Sequence, residues 1–158
     1  ELHPKVVVEL GTSLGISSAY LSTANKNSQL YTFEGCPEIA RTASTVFSNL
    51  NCYNVSLIKG DFKDTLVKTL NTLNEVDLAF IDGNHTKEAT LEYSKTLMGK
   101  MANNSVLIID DIYWSKGMTE AWEELITCPE VTISIDLFKL GILFFKKGTE
   151  KQHFKLKV

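Results

Sequence analysis

The feature that most constrains the fold is a regular alternation of strand-like runs and helical patterns along almost the entire chain. Seven short runs rich in β-branched or other apolar residues have the length of strands: Val6–Leu10, Gln29–Phe33, Val55–Lys59, Val76–Ile81, Ser105–Ile109, Val131–Ile135 and Gly141–Lys146. Several are apolar almost throughout, as expected of strands covered on both faces of a parallel sheet. Helical patterns separate the first six runs. This alternation implies right-handed crossovers and a doubly wound sheet.

The last two runs break this rhythm. Only residues 136–140 separate them, whereas a crossover to a parallel strand needs about a dozen residues or more. The final pair must therefore form an antiparallel hairpin. We expect one α/β domain over residues 1–158, with a three-layer, doubly wound sheet of seven strands. Because little sequence precedes the first strand and no initiator Met is present, we also expect that a natural N-terminal segment is missing.

Local signals place some of the helices. Pro37 suits the first turn of a helix, and apolar residues recur at helical spacing from Ile39 to Leu50. Thr86 is a candidate N-cap for a helix that continues through Met101. Trp122 falls in the apolar stripe of a later helix, so we expect it in the core.

Composition excludes several classes of protein. The formal net charge of −3 and a pI near 5.6 give no general attraction to nucleic acid. No apolar run approaches the roughly 20 residues that span a bilayer. We expect a cytoplasmic protein with no membrane contact and with nucleic acid disfavoured as a partner. A homodimer is compatible with the sequence.

The cysteines and the lysines near the end of the chain have ordinary structural interpretations. Three scattered cysteines are too few for a disulfide framework or a zinc site, so we expect reduced, structural thiols. Lysines gather near the end of the chain, and we expect a solvated tail there, since charge runs usually serve solubility. These lysines are Lys146, Lys147, Lys151, Lys155 and Lys157.

The first strand leads into a glycine-containing turn. Ligands of open α/β sheets lie beyond the carboxyl ends of the strands, and residues 9–15 (Glu-Leu-Gly-Thr-Ser-Leu-Gly) occupy that position. Gly11 and Gly15 allow a tight turn and a close approach of backbone to ligand. Ser13, Ser17 and the free N–H groups of the following helix could hold an anion such as a carboxylate.

Acidic residues follow the next two strands. Glu34 ends the second strand and could accept hydrogen bonds from both hydroxyls of a ribose. Asp61 and Phe62 follow the third strand and could contact an adenine by a hydrogen bond and by ring packing. Each also has an ordinary interpretation: a solvated loop acid for Glu34, and a helix cap for Asp61. Their occurrence at consecutive strand ends favours a nucleotide-like cofactor.

Together, these segments resemble the class I, seven-stranded methyltransferases over nearly the whole chain. The shared features are Glu-x-Gly-x-x-x-Gly at 9–15, the acid at 34, Gly-Asp-Phe at 60–62 and the terminal hairpin. The resemblance implies the strand order 3-2-1-4-5-7-6 with strand 7 antiparallel, and S-adenosylmethionine (SAM) as cofactor. It places Glu9 and Gly11 in the cofactor turn, Glu34 on the ribose and Asp61 beside the adenine. A nicotinamide dehydrogenase would prefer glycine at position 13, where this chain has Ser.

A second set of acids follows the fourth and fifth strands. Asp82 and His85 come after the fourth strand, and Asp110 and Asp111 end the fifth. If the two strands are neighbours about 4.8 Å apart, these side chains converge. Three close carboxylates raise one another's pKa unless a cation lies between them, and Mg²⁺ favours oxygen ligands.

At these positions the chain is similar to the metal-dependent O-methyltransferases. That resemblance implies Asp82, Asp110 and Asp111 as ligands of Mg²⁺, which would lower the pKa of the substrate hydroxyl. Asp82 is also expected to contact the cofactor. The alternatives are that Asp82 acts as a general base without metal, and that His85 is either a general base or a structural loop residue.

We therefore predict a methyltransferase that acts on a hydroxyl of a small molecule. The loop after the fourth strand reads Asp-Gly-Asn-His, whereas many amino-group methyltransferases carry Asn-Pro-Pro-aromatic there. Two alternatives remain: metal-free methylation of protein or RNA, and a cofactor-binding domain without turnover.

Overall fold

The strands of the computed structural model, which describes residues 2–156, form an eight-stranded sheet in the order β3-β2-β1-β4-β5-β7-β6-β8. The elements are, in chain order, β1 Val6–Leu10, α1 Ile16–Ala24, β2 Gln29–Glu34, α2 Pro37–Asn49, β3 Val55–Lys59, α3 Phe62–Leu70, β4 Val76–Ile81, α4 Lys87–Met98, β5 Met101–Asp110, α5 Lys116–Leu125, β6 Ile133–Asp136, β7 Leu140–Phe145 and β8 Gln152–Lys155. The predicted order of the first seven strands is confirmed. The chain divides into two compact units, the first ending at Val76 and the second beginning at Asp77.

The first unit contains three parallel strands and the helices that follow them. β2 pairs in parallel with β1 and with β3, so the carboxyl ends of these strands lie at one edge. Leu10, Leu30 and Phe33 are fully buried. α1 and α2 meet in a small apolar cluster that includes Ala19 and Phe47. As predicted, Pro37 is the first residue of α2.

The second unit contains the antiparallel hairpin that the short separation of the last two runs predicted. β7 pairs antiparallel with both β5 and β6. Trp122, on α5, is 2% exposed, which confirms its predicted core position. Its ring explains Gly141 in β7, because a Cβ there would lie 2.5 Å from Trp122 Cζ3.

Three predictions about the second unit need correction. The sheet has eight strands rather than seven, because Gln152–Lys155 forms β8 and pairs in parallel with β6. Lys155 therefore belongs to a strand and not to a solvated tail. Lys157 lies outside the described residues. Thr86 caps α4 as predicted, accepting a hydrogen bond from Ala89 N–H, but the helix ends at Met98, three residues early.

Two further features complete the description. Cys36, Cys52 and Cys128 are free thiols. Within residues 2–156, every helix is too short or too polar to cross a membrane.

Candidate functional site

The turn after β1 contains three residues with a positive φ, a backbone conformation that residues other than glycine rarely adopt. Gly11, Ser13 and Gly15 have φ values of 106°, 48° and 85°. The N–H groups of Gly11 and Thr12 both donate to the carbonyl of Phe33, at 3.1 and 3.0 Å. The turn is thus anchored to the end of β2 and leads into α1.

Gly15 is required by its neighbours as well as by its backbone. A Cβ at this position would lie 2.7 Å from Phe47 Cε1, where ordinary carbon–carbon contacts are about 3.5–4.0 Å. The start of α1 can therefore lie this close to α2 only with glycine. Ser17, in the first turn of α1, is half-buried.

Glu34 links the turn to the end of β2. One carboxylate oxygen, Oε2, accepts a hydrogen bond from Ser13 N–H at 2.9 Å, and the other, Oε1, accepts one from Cys36 N–H at 2.9 Å. Its carbonyl accepts from Gly60 N–H at 3.0 Å, which attaches the loop after β3 to the same edge. The structure therefore brings the turn, Glu34 and the segment 60–62 together within the first unit. We call this group of residues (11–15, 34 and 60–62) the turn site.

Glu9 lies beneath the turn and is fully buried. Its Oε2 accepts hydrogen bonds from the hydroxyls of Ser18 and Thr32, the latter at 2.6 Å. The hydroxyls of Thr12 and Thr32 are also 2.6 Å apart. This network ties β1, β2, the turn and α1 together from inside, so Glu9 positions the turn. The part that the two threonines play in this network could not be predicted from the sequence, because their pairing across 20 residues leaves no local pattern.

Asp61 caps α3. Its side chain accepts a hydrogen bond from Lys63 N–H at 2.9 Å, which was the ordinary interpretation of this residue. Phe62 is the half-buried first residue of the helix. Their contacts with an adenine, and the contact of Asp82 with the cofactor, remain predictions.

In the second unit, the carboxyl groups of Asp82 and Asp110 interact, and we call these two residues the carboxyl pair. Burial, followed by the charge of Asp110, raises the pKa of Asp82 above its ordinary value, while the charge of His85 opposes that rise. His85 Nε2 lies 3.6 Å from Asp82 Oδ1. The His85 side chain is 27% exposed, so a molecule in solution can reach the ring. The ring also lies 6.5 Å from that of Trp114, centroid to centroid.

Asp111 is placed differently from its neighbour. It has a φ of 54°, and its N–H donates to Asp110 Oδ1 at 2.9 Å. Its charge makes the smallest contribution to the raised pKa of Asp82. Among residues 2–156, no three His, Cys, Asp or Glu side chains are arranged so that they could hold a metal ion. As placed, Asp82, Asp110 and Asp111 do not fit the predicted Mg²⁺ site.

The second unit also contains a polar network that the sequence did not predict, formed by Tyr113, Asp136 and Lys155. Tyr113 donates its hydroxyl hydrogen to Asp136 Oδ2 at 2.6 Å. Lys155 Nζ lies 2.7 Å from the Tyr113 hydroxyl and 3.2 Å from Asp136 Oδ2. Asp136 is buried, and these partners, the hydroxyl first, overcome the effect of its burial and lower its pKa. The sequence carries no local signal for this network, because its three members come from distant segments of the chain.

Comparison with known proteins gives one family. The family model described as "Methyltransferase domain" matches residues 8–112. This segment contains the turn site and the acids at 82, 110 and 111. A comparison with curated protein sequences gives no significant match.

Solved structures share the fold at low sequence identity. An O-methyltransferase from Streptomyces achromogenes involved in tomaymycin synthesis, in complex with SAM, has a TM-score of 0.78 and 19% identity, covering 90% of this chain and 74% of its own. An O-methyltransferase from Bacillus cereus in complex with SAH has a TM-score of 0.76 and 18% identity, with coverages of 91% and 74%. The SAH-bound methyltransferase PaMTH1 from Podospora anserina has a TM-score of 0.76 and 21% identity, with coverages of 91% and 73%.

Proposed function

The chain belongs to the methyltransferase domain family, and from that membership we propose that it transfers a methyl group from SAM to a hydroxyl oxygen of a small molecule. The observation that carries this proposal is the turn site, where a left-handed glycine turn, the Glu34 carboxylate and the segment 60–62 share one edge. Structures of the same fold that contain SAM or SAH support the choice of cofactor.

At the turn site, each residue type has a suitable partner in SAM. The Glu34 carboxylate can accept hydrogen bonds from two ribose hydroxyls while it continues to orient the loop. Ser13 and Ser17 lie beside the N-terminal end of α1, where free N–H groups favour the carboxylate of the amino-acid part. Asp61 and Phe62 would contact the adenine.

The acceptor chemistry is assigned to Asp82 and His85. As the hydroxyl oxygen forms its bond to the methyl carbon, the bond from that carbon to sulfur breaks, and SAH leaves. The hydroxyl proton must be taken up, and the imidazole of His85 can accept it as a general base. Asp82 lies 3.6 Å from Nε2 and stabilises the resulting imidazolium by its charge.

Mg²⁺ would supply Lewis-acid polarisation of the acceptor oxygen. We derive no step through it, because the three acids do not fit a metal as placed. Its role is tested directly by titrating the protein with Mg²⁺ and by assaying activity with and without EDTA. Activity that EDTA abolishes and Mg²⁺ restores would reinstate the metal hypothesis.

The cofactor is tested by calorimetry with SAM, SAH and NAD. We expect SAM and SAH to bind and NAD not to bind; binding of NAD alone would refute the proposal. Glu34→Gln should weaken SAM binding about tenfold to a hundredfold, since a hydrogen bond to a charged group contributes about 1.5–3 kcal/mol. Glu38→Gln is the matched control, because Glu38 is a neighbouring acid whose carboxylate accepts a hydrogen bond from the Cys36 thiol at 3.3 Å.

The acceptor step is tested with a screen of small hydroxyl compounds and isotopically labelled SAM. His85→Gln should lower kcat while leaving the Kd for SAM unchanged. An unchanged kcat would remove His85 from the mechanism. Detection of label on protein or RNA but on no small molecule would favour the alternative acceptor class.

A further inference from the structure

The second unit contains a cavity of about 670 Å³ between the β6–β7 hairpin and the end of β8, lined by residues 136–140 together with Lys155 and Leu156. This volume lies within the range of small-molecule sites, roughly 300–1,000 Å³. Its apolar surface comes mainly from leucines and from Phe138. One wall of this cavity is the end of β8, a strand beyond the seven that the sequence predicted.

Phe138 has an unusual backbone conformation although its side chain is mostly exposed. It has a φ of 69°, which is unusual for a bulky residue, and it is 66% exposed. Its N–H donates to Asp136 Oδ1 at 2.9 Å, and its ring stacks on Tyr113 with centroids 5.6 Å apart. The loop therefore contains a residue with a strained backbone, and the side chain of that residue, Phe138, lines the cavity. Such strain is concentrated at ligand sites.

The charge at the cavity is positive. The lysines at 139 and 155 line it, and Asp136 is the one acid among its lining residues. Lys155 Nζ contacts Asp136 and the Tyr113 hydroxyl, and it lies 4.7 Å from the centre of the Tyr113 ring. Its side chain is still 59% exposed. Since an ammonium group has three donors, Lys155 can also donate to a ligand.

The cavity borders the carboxyl pair of the same unit. Leu140, one of its lining residues, is paired with Asp110 across the β5–β7 ladder. Ile112 N–H donates to the carbonyl of Lys139 at 3.3 Å, so the loop after β5 is tied to the hairpin. Directly paired residues of antiparallel strands have Cα atoms about 4.5–5.5 Å apart. Asp110, whose carboxyl group interacts with that of Asp82, is therefore the strand neighbour of a residue that lines the cavity.

We propose that this cavity binds an aromatic ring carrying an anionic substituent, with the ring on Phe138 and the anion on Lys155. Its role as the recognition site of the methyl acceptor rests on the proposed function above. Phe138 supplies ring stacking, and Lys155 supplies a charge-assisted hydrogen bond.

Binding is tested with two fluorescent probes that differ by one charged group: anilinonaphthalene sulfonate and its neutral counterpart, phenylnaphthylamine. We expect the sulfonate to bind the intact protein about tenfold more tightly, from a charge-assisted hydrogen bond. Lys155→Met should remove this preference, and Lys155→Arg should retain it. Equal affinities of the two probes for the unaltered protein would overturn the assignment of an anion.

Phe138→Asn tests the ring while keeping the backbone, because Asn tolerates a positive φ. We expect both probes to bind about tenfold more weakly, with no fall in the thermal midpoint. The matched control is Tyr20→Ala, which removes an aromatic side chain that is 75% exposed in a different apolar groove, in the first unit. If Tyr20→Ala weakens the probes and Phe138→Asn does not, the cavity is not the site.

SAM titrations on the same samples separate the two proposals. If the unaltered protein binds SAM but neither probe, the cavity proposal alone is refuted. Probe binding that depends on Phe138 and Lys155, in a protein that binds no SAM, refutes the proposed function and leaves the binding site in place.

Discussion

Gly15→Ala should destabilise the protein through two separable effects. The backbone at Gly15 has a φ of 85°, and a non-glycine residue in the left-handed region costs about 1–2 kcal/mol. The added Cβ would also lie 2.7 Å from Phe47 Cε1. Because Phe47 is only 7% exposed, its ring must move within a packed cluster, and overpacking of this kind costs about 1–3 kcal/mol. The free energy of unfolding should therefore fall by about 2–5 kcal/mol.

Two other glycines separate these effects in urea unfolding experiments. Gly148 has a φ of 78° and no heavy atom within 4 Å of an added Cβ, so Gly148→Ala reports the backbone cost alone. Gly35 also has no heavy atom within 4 Å and lacks the positive φ, so Gly35→Ala should be near neutral or slightly stabilising. The expected order of destabilisation is Gly15, then Gly148, then Gly35.

A double-mutant cycle identifies the steric part. In a Phe47→Leu background the cost of Gly15→Ala should fall towards that of Gly148→Ala, because the atom in the way has been removed. If Gly15→Ala costs no more than Gly148→Ala, the close approach of α1 to α2 is not a constraint. If Gly15→Ala lowers stability yet leaves SAM affinity unchanged, the turn does not position the cofactor.

Further predictions concern the two groups of buried or paired acids. Asp110→Asn should lower the pKa of Asp82 measured by carboxyl NMR, whereas Asp111→Asn should have a smaller effect, since its charge contributes least; equal shifts would contradict the observed pairing. The pKa of Asp82 is raised in the folded state. Ionisation of Asp82 therefore lowers the free energy of unfolding as the pH rises above 3.8, the ordinary pKa of this group. Asp110→Asn should diminish this loss in denaturation experiments at a series of pH values. Thr32→Val removes a donor from the buried Glu9 carboxyl and should lower the free energy of unfolding by about 1–3 kcal/mol in urea; a neutral effect would show that the network does not support the turn.

Much of the fold could be predicted because its signals are local. The short separation between the last two predicted runs excluded a parallel crossover, and the hairpin followed. The turn could be placed because glycines at 11 and 15 stand directly after an apolar strand. By contrast, the apolar spacing predicts that α4 continues to Met101, whereas the helix ends at Met98. Gly99, which follows its last residue, is a typical signal for the end of a helix.

The missed features depend on contacts between distant residues. β8 carries polar and basic residues and is exposed throughout, so it lacks the apolar alternation of a half-buried strand. Lys155 and Tyr113 are 42 residues apart, and Tyr113 and Asp136 are 23 apart. Neither the network nor the cavity beside it could be inferred before the strand pairing was known. The carboxyl pair could be anticipated, but the different placement of Asp111 depends on its left-handed backbone.

The pairing of β5 with β7 also determines which fragments of this protein can be produced intact. The segment that matches the family model ends at residue 112, whereas β7, which covers β5 from Ser105 to Asp110, begins at Leu140. A truncated protein cut at that boundary would expose the edge of β5, an unprotected apolar strand of the kind that promotes aggregation. Expression vectors and deletion series should therefore retain the hairpin, even when only residues 8–112 are of interest.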